Sequence, residues 1–148
     1  MRFQNILCPV DFSDCSREAL VKAVELANEN RAKLTLVHAY QFPTGEGVCY
    51  VRDLLGQIEA EARHEVAGWT EEAKRLGAEG VEGVAVLGIA YDEIVKRARE
   101  LGCDLIVMGT HGRSGLKHAF VGSVAERVIR YSPCTVMVVR AAATAKAA

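Results

Sequence analysis

Asp104-Leu-Ile-Val-Met-Gly109-Thr-His-Gly112-Arg-Ser-Gly115-Leu-Lys-His-Ala-Phe-Val-Gly122-Ser123 is the stretch on which the fold turns. An apolar run of strand length breaks at Gly109 into a glycine-rich segment. That segment closes with Gly122-Ser123 at the head of a helical pattern, Val124, Ala125, Val128 and Ile129. A strand, a glycine loop and a helix N-terminus in this order bring backbone N–H groups together around an anion, usually a phosphate.

The same alternation recurs on either side. Asn5 to Val10 reads as a short apolar strand. Ser13 then caps a helix whose Ala19, Leu20, Ala23, Val24 and Ala27 repeat at helical spacing. Lys33 to Ala39 reads as a second strand, and Gln41 to Arg52, with Pro43, Gly45 and Gly47, as an irregular loop. A long amphipathic helix carries Leu55, Ile58, Ala62, Val66, Trp69, Ala73 and Leu76 on one stripe and stops at Gly77. Val81 to Leu87 predicts a third strand, and Asp92 to Leu101 a helix ended by Gly102. Asp104 to Met108 and Cys134 to Val139 complete the strands. Strands separated by helices predict a single doubly wound α/β domain, a five-stranded parallel sheet with helices on both faces.

Composition narrows the function. The chain has 148 residues, 50% apolar and 25% charged, with net charge −1, which suits one folded domain able to bury a core. Its Lys and Arg are scattered, so nucleic acid finds no electrostatic footing. Met1-Arg2-Phe3-Gln4-Asn5 leads into an apolar run that Pro9 and Asp11 soon interrupt, a pattern of neither a signal peptide nor a membrane span. The expectation is a cytoplasmic chain, with residues 1–140 as the domain and Ala141 to Ala148 as a flexible tail. Five cysteines, Cys8, Cys15, Cys49, Cys103 and Cys134, are an odd number without C-x-x-C spacing. They read as reduced thiols, with Cys8, Cys103 and Cys134 in the core and Cys15 in a first helical turn.

Doubly wound sheets bind ligands beyond the C-terminal ends of their strands, where strand order reverses. The first strand runs into Cys8-Pro9-Val10-Asp11-Phe12-Ser13, and the fourth into Met108-Gly109. A carboxylate on one side and a glycine loop on the other suit a nucleotide, the carboxylate toward hydroxyls or base and the loop toward phosphates. Asp11 also has a turn-forming reading, since Asp-x-Ser before a helix is common punctuation. With Ser13 as the cap, Asp11 is expected to serve another task. Gly109, Gly112, Gly115 and Gly122 let an anion approach the backbone closely. Neither the G-x-x-x-x-G-K-[ST] nor the G-x-G-x-x-G spacing is present, so the residues alone indicate an anion or phosphate site and leave the nucleotide open.

Gly109-x-x-Gly112, nine residues, then Gly122-Ser123 resembles the G-2x-G-9x-G-[S/T] signature of the universal stress protein family, in its ATP-binding subgroup. Ile6-Leu-Cys-Pro-Val-Asp-Phe-Ser and Leu36-Val-His-Ala resemble other blocks of that family in the same order. The resemblance covers the chain from about residue 2 to 140. It implies strand order 3-2-1-4-5, a homodimer joined by the last strand, and bound ATP with Mg²⁺ carried by the phosphates. Pro9, Val10 and Ala39 would then line the base, Asp11 would meet the ribose or adenine side, and Met108 and Gly109 the ribose region. Gly112, Gly122, Ser123 and Val124 would hold phosphates, within reach of Arg113. His111, read from its place inside the loop and not from the resemblance, could touch a phosphate or act as an acid or base, against a structural or solvated reading. Ala39 stands where the family often has a larger β-branched residue, so adenine packing is expected to be looser.

His38 reads as a satisfied, semi-buried strand residue, and His64 and His118 as exposed. None pairs with a nucleophile and an acid as a triad does, and nothing positions a water for hydrolysis, so no catalytic residue is assigned. A nucleotide-dependent regulatory or signalling protein in stress response is the leading reading, with an unidentified protein partner. A slow ATPase or nucleotidyl-transfer enzyme, or a dimerisation module without ligand, are the alternatives. The apolar last strand, Cys134 to Val139, predicts an edge open to pairing in a homodimer.

Overall fold

The computed structural model describes residues 1–43, 51–111 and 121–141. The strands are β1 (Asn5–Pro9), β2 (Lys33–Tyr40), β3 (Val81–Leu87), β4 (Leu105–Gly109) and β5 (Thr135–Val139). They alternate with α1 (Asp14–Asn30), α2 (Val51–Arg75), α3 (Ala90–Glu100) and α4 (Ser123–Tyr131). The sheet is parallel throughout, in the order β3-β2-β1-β4-β5. β1 is central, with Leu7 opposite Thr35 on one side and Ile106 on the other.

Side-chain alternation along the strands sorts the core into two layers. Ile6, Cys8, Leu34, Leu36, Leu105 and Val107 face one way and pack with Leu20, Ala23 and Val24 of α1 and Ala73 of α2. Leu7, Val37, Ile106 and Met108 face the other way and pack with Ile94 and Ala98 of α3 and Ala125 and Val128 of α4. Both faces of the sheet are therefore covered. That coverage explains why β1 and β4 read as continuous apolar runs and not as alternating ones.

Local chemistry sets the element ends. Ser13 caps α1, its Oγ accepting from the Ser16 amide at 3.2 Å. Gly102, at φ +59°, lets the chain turn out of α3 while the Cys103 amide bonds Ala98 O at 2.9 Å. Several boundaries differ from the sequence expectation. Asp104 precedes β4, because its carboxylate accepts from the amides of Gln4 and Asn5 at 2.8 and 3.2 Å and so ties β4 to β1. Cys134 precedes β5, since the Ser132 hydroxyl holds its amide in a turn at 3.1 Å. α3 begins at Ala90, two residues before Asp92, where the sequence reading started it, with Ile89 at the cap position and no side-chain cap bond. Leu76 falls beyond α2 and is 42% exposed, outside the stripe assigned to it. Most of the expected tail, residues 142–148, lies outside the described residues.

Candidate functional site

Because β1 is followed in space by β2 on one side and β4 on the other, the connections leaving β1 and β4 diverge and open a crevice at their C-terminal ends. A cavity of about 550 Å³ occupies it, within the usual range for small-molecule sites. Pro9, Val10 and Asp11 form its wall at the end of β1, and Val37 to Tyr40 at the end of β2. Met108 to His111 continue it from β4, Ala90 and Ile94 from α3, and Gly122 to Ala125 from the start of α4. The crevice thus joins an apolar slot to a helix N-terminus, whose first amides have no partner within the helix and whose dipole favours negative charge.

Of the residues singled out in the sequence, Pro9, Val10, Asp11 and Ala39 line this cavity on the β1 and β2 side. Met108, Gly109, His111, Gly122, Ser123 and Val124 line the other side. Gly112, Arg113, Gly115 and His118 lie outside the described residues.

Asp11 lines the cavity and also takes the turn-forming role that Asp-x-Ser suggests. Its Oδ1 accepts from the amide of Ser13 at 3.0 Å and from the Ser13 hydroxyl. Its own amide donates to Ser16 Oγ at 3.1 Å. The carboxylate that borders the cavity is therefore also the brace of the β1–α1 turn. Ser13 can cap α1 and donate to Asp11 together, because its oxygen accepts while its proton is given away.

Two of the glycines that line the cavity also have packing or hydrogen-bonding roles of their own. A Cβ on Gly109 would lie 2.8 Å from Cys15 Cβ and 2.9 Å from the Cys15 carbonyl carbon. The side chain is absent there because α1 crosses β4 closely, whatever occupies the cavity. Gly122 donates its amide to Thr110 O at 2.7 Å, so a phosphate would compete for that N–H with an acceptor already in place. The amides of Ser123 and Val124 stand next along the opening turn of α4.

Thr110 is one of the cavity residues that sequence reading missed. It is 5% exposed and joins three elements: its amide donates to Val139 O of β5, and its carbonyl accepts from Gly122 beside α4. Its hydroxyl lies 3.0 Å from His111 Nδ1 and 3.9 Å from the Cys15 sulfur on α1. A buried hydroxyl between Gly109 and His111 was the available signal. Ala90 and Ile94 gave none, since both read as ordinary core positions of a helix. His111 Nε2 is buried and has no hydrogen-bond partner among the described residues; unpaired buried polar atoms are uncommon in folded proteins.

His38 matches its expectation: partly buried, with Nδ1 2.8 Å from Val10 O. A carbonyl only accepts, so Nδ1 carries the proton. Among the cysteines, burial pushes Cys8 up to about 12 and Cys103 up to about 11, which keeps both as unreactive thiols near neutral pH. Cys134 is only partly buried, and Cys49 lies outside the described residues. Among the described residues no group of three or more His, Cys, Asp or Glu is arranged to hold a metal. No helix among them is long and apolar enough to cross a membrane.

A sequence model described as the Universal stress protein family matches residues 2–140. Universal stress protein YxiE of Bacillus subtilis is 36% identical over 147 residues, spanning 93% of this chain and 99% of its own length. Universal stress protein UspA from Lactobacillus plantarum has the same fold, with TM-score 0.83 at 28% identity over 95% of this chain and 99% of its own. A universal stress protein solved in complex with cAMP superposes with TM-score 0.75 at 28% identity, over 95% of this chain and 99% of its own.

Proposed function

We propose that this chain, which belongs to the universal stress protein family, binds ATP in the β1–β4 crevice and acts as a nucleotide-dependent regulator in stress response. The observation that carries this reading is the pairing, in one cavity, of an apolar slot beside Asp11 with the N-terminus of α4. A nucleotide has those two halves, a flat base and an anionic tail. The similar universal stress protein in complex with cAMP supports an adenine nucleotide as the ligand class.

In this reading the adenine lies against Pro9, Val10 and Ala39, and Asp11 accepts from a ribose hydroxyl. Met108 and Gly109 back the sugar. The phosphates meet the amides of Ser123 and Val124 and the Ser123 hydroxyl, joined by Gly112 and Arg113 of the glycine segment. His111 Nε2 lacks a partner among the described residues and would gain one in a phosphate oxygen. Mg²⁺ fits as an ion held by the phosphate oxygens, where it neutralises their charge. Bound ATP would change a surface that a protein partner reads. A homodimer in the cytoplasm is the setting proposed for that exchange.

Titration calorimetry with Mg-ATP, AMP and cAMP tests this, followed by chromatography of the recovered nucleotide. ATP is expected to bind most tightly and to be recovered intact. Asp11→Ala is expected to weaken it about tenfold, the worth of one hydrogen bond involving a charged group. Absence of heat with all three nucleotides would remove the reading. Recovery of ADP would move it to the enzyme class.

A further inference from the structure

Just outside the cavity the chain adopts a backbone conformation that bulky side chains rarely take. Phe12 has φ +66°, in the left-handed region, and such a residue persists only where its surroundings over-determine it. Those surroundings are aromatic. The Phe12 ring lies 4.5 Å from the His38 imidazole and 5.3 Å from the Trp69 indole, the latter edge-to-face at 69°.

Each wall of this clamp is itself held. His38 donates from Nδ1 to Val10 O at 2.8 Å. The Arg17 guanidinium of α1 stands 5.2 Å above the Trp69 ring and reaches Glu72 of α2 at 3.5 Å. The β1–α1 turn is therefore gripped between β2 and α2, one residue from the carboxylate that borders the cavity. Reversal of the chain at Phe12 brings the Ser13 amide and hydroxyl onto Asp11 Oδ1. It also puts the Asp11 amide onto Ser16 Oγ.

We infer that Phe12 and Trp69 are positioning residues for the Asp11 carboxylate, so that the seat of α2 on the sheet sets nucleotide affinity from outside the cavity. This rests on the nucleotide reading of the crevice and adds a route by which a partner touching α2 tunes it. Neither residue lines the cavity, so neither touches the ligand. The chain has one tryptophan, which makes Trp69 emission a direct reporter: a nucleotide that engages Asp11 shifts the emission through Phe12.

Mg-ATP affinity is measured by calorimetry for the full chain and three variants, with urea unfolding to select temperatures at which each is fully folded. Trp69→Ala is expected to weaken binding about tenfold, near the upper worth of one aromatic pair, and Trp69→Phe, which keeps an aromatic edge, about twofold at most. Phe12→Gly keeps the left-handed turn without the ring and is expected to weaken binding about tenfold. It is also expected to leave Trp69 emission insensitive to ATP. A merely structural role would lower unfolding midpoints and leave affinities alone. Wild-type affinity in both Trp69→Ala and Phe12→Gly would overturn the inference while the nucleotide reading stands. Failure of the unmodified chain to bind ATP would overturn both. If Trp69→Ala does not fold, Phe12→Gly decides alone.

Discussion

A methyl group at residue 109 would press against the β-carbon and backbone of Cys15, at 2.8 and 2.9 Å. Neither atom belongs to a flexible side-chain end, so α1 would have to move off β4. Gly109→Ala is expected to destabilise the fold by about 1–3 kcal/mol, the usual range for overpacking. Urea midpoints check this, and an unchanged midpoint would contradict the close crossing. Gly109 also marks the limit of legibility at this scale. Its place at a strand end was readable, but the reason for it was not, because the neighbour that demands a glycine lies 94 residues away in sequence at Cys15. Asp11 was legible as a cavity residue for a simpler reason: its strand end predicts it. Its second duty, bracing Ser13, follows the Asp-x-Ser turn signal, whereas the left-handed turn at Phe12 has no local propensity to announce it. Thr110 escaped notice because its partners come from α1, β5 and the start of α4.

β5 pairs with β4 alone among the described strands. Its Val136 to Val139 are only partly buried, which leaves an apolar edge. Such an edge, unless covered, recruits another chain. The expected outcome is a dimer, twice the 16.0 kDa chain, by light scattering at micromolar concentration, and a single-chain mass for Val138→Lys. A single-chain mass for the unmodified protein would contradict the edge pairing. At the element scale the sequence was a good guide where periodicity spoke. β3 has the expected limits, Val81–Leu87, and α1 begins after the expected Ser13 cap. Errors cluster where side chains compete with the ladder or the helix for backbone groups. Asp104 takes the amides of Gln4 and Asn5 at the start of β1, and Ser132 takes the Cys134 amide. At α3 an uncapped start at Ile89 left Asp92 as the more visible but later signal.

Across the whole molecule, strand order turns a one-dimensional pattern into a site. Placing β1 between β2 and β4 brings residues 112 positions apart, Asp11 and Ser123, to one cavity. That convergence was legible from the alternation of strands and helices with the glycine segment. The identity of the ligand was not, since helix amides read an anion and not the base attached to it. The aromatic clamp that joins α2 to the β1–α1 turn was not legible either, because Phe12, His38 and Trp69 lie far apart along the chain with no pattern that relates them. The central claim, that this crevice binds ATP, is tested most directly by unfolding the protein with and without Mg-ATP. A ligand at about 100 times its Kd is expected to stabilise the folded state by about 2.7 kcal/mol, seen as a concentration-dependent rise in Tm. A Tm that stays fixed from micromolar to millimolar Mg-ATP would contradict it.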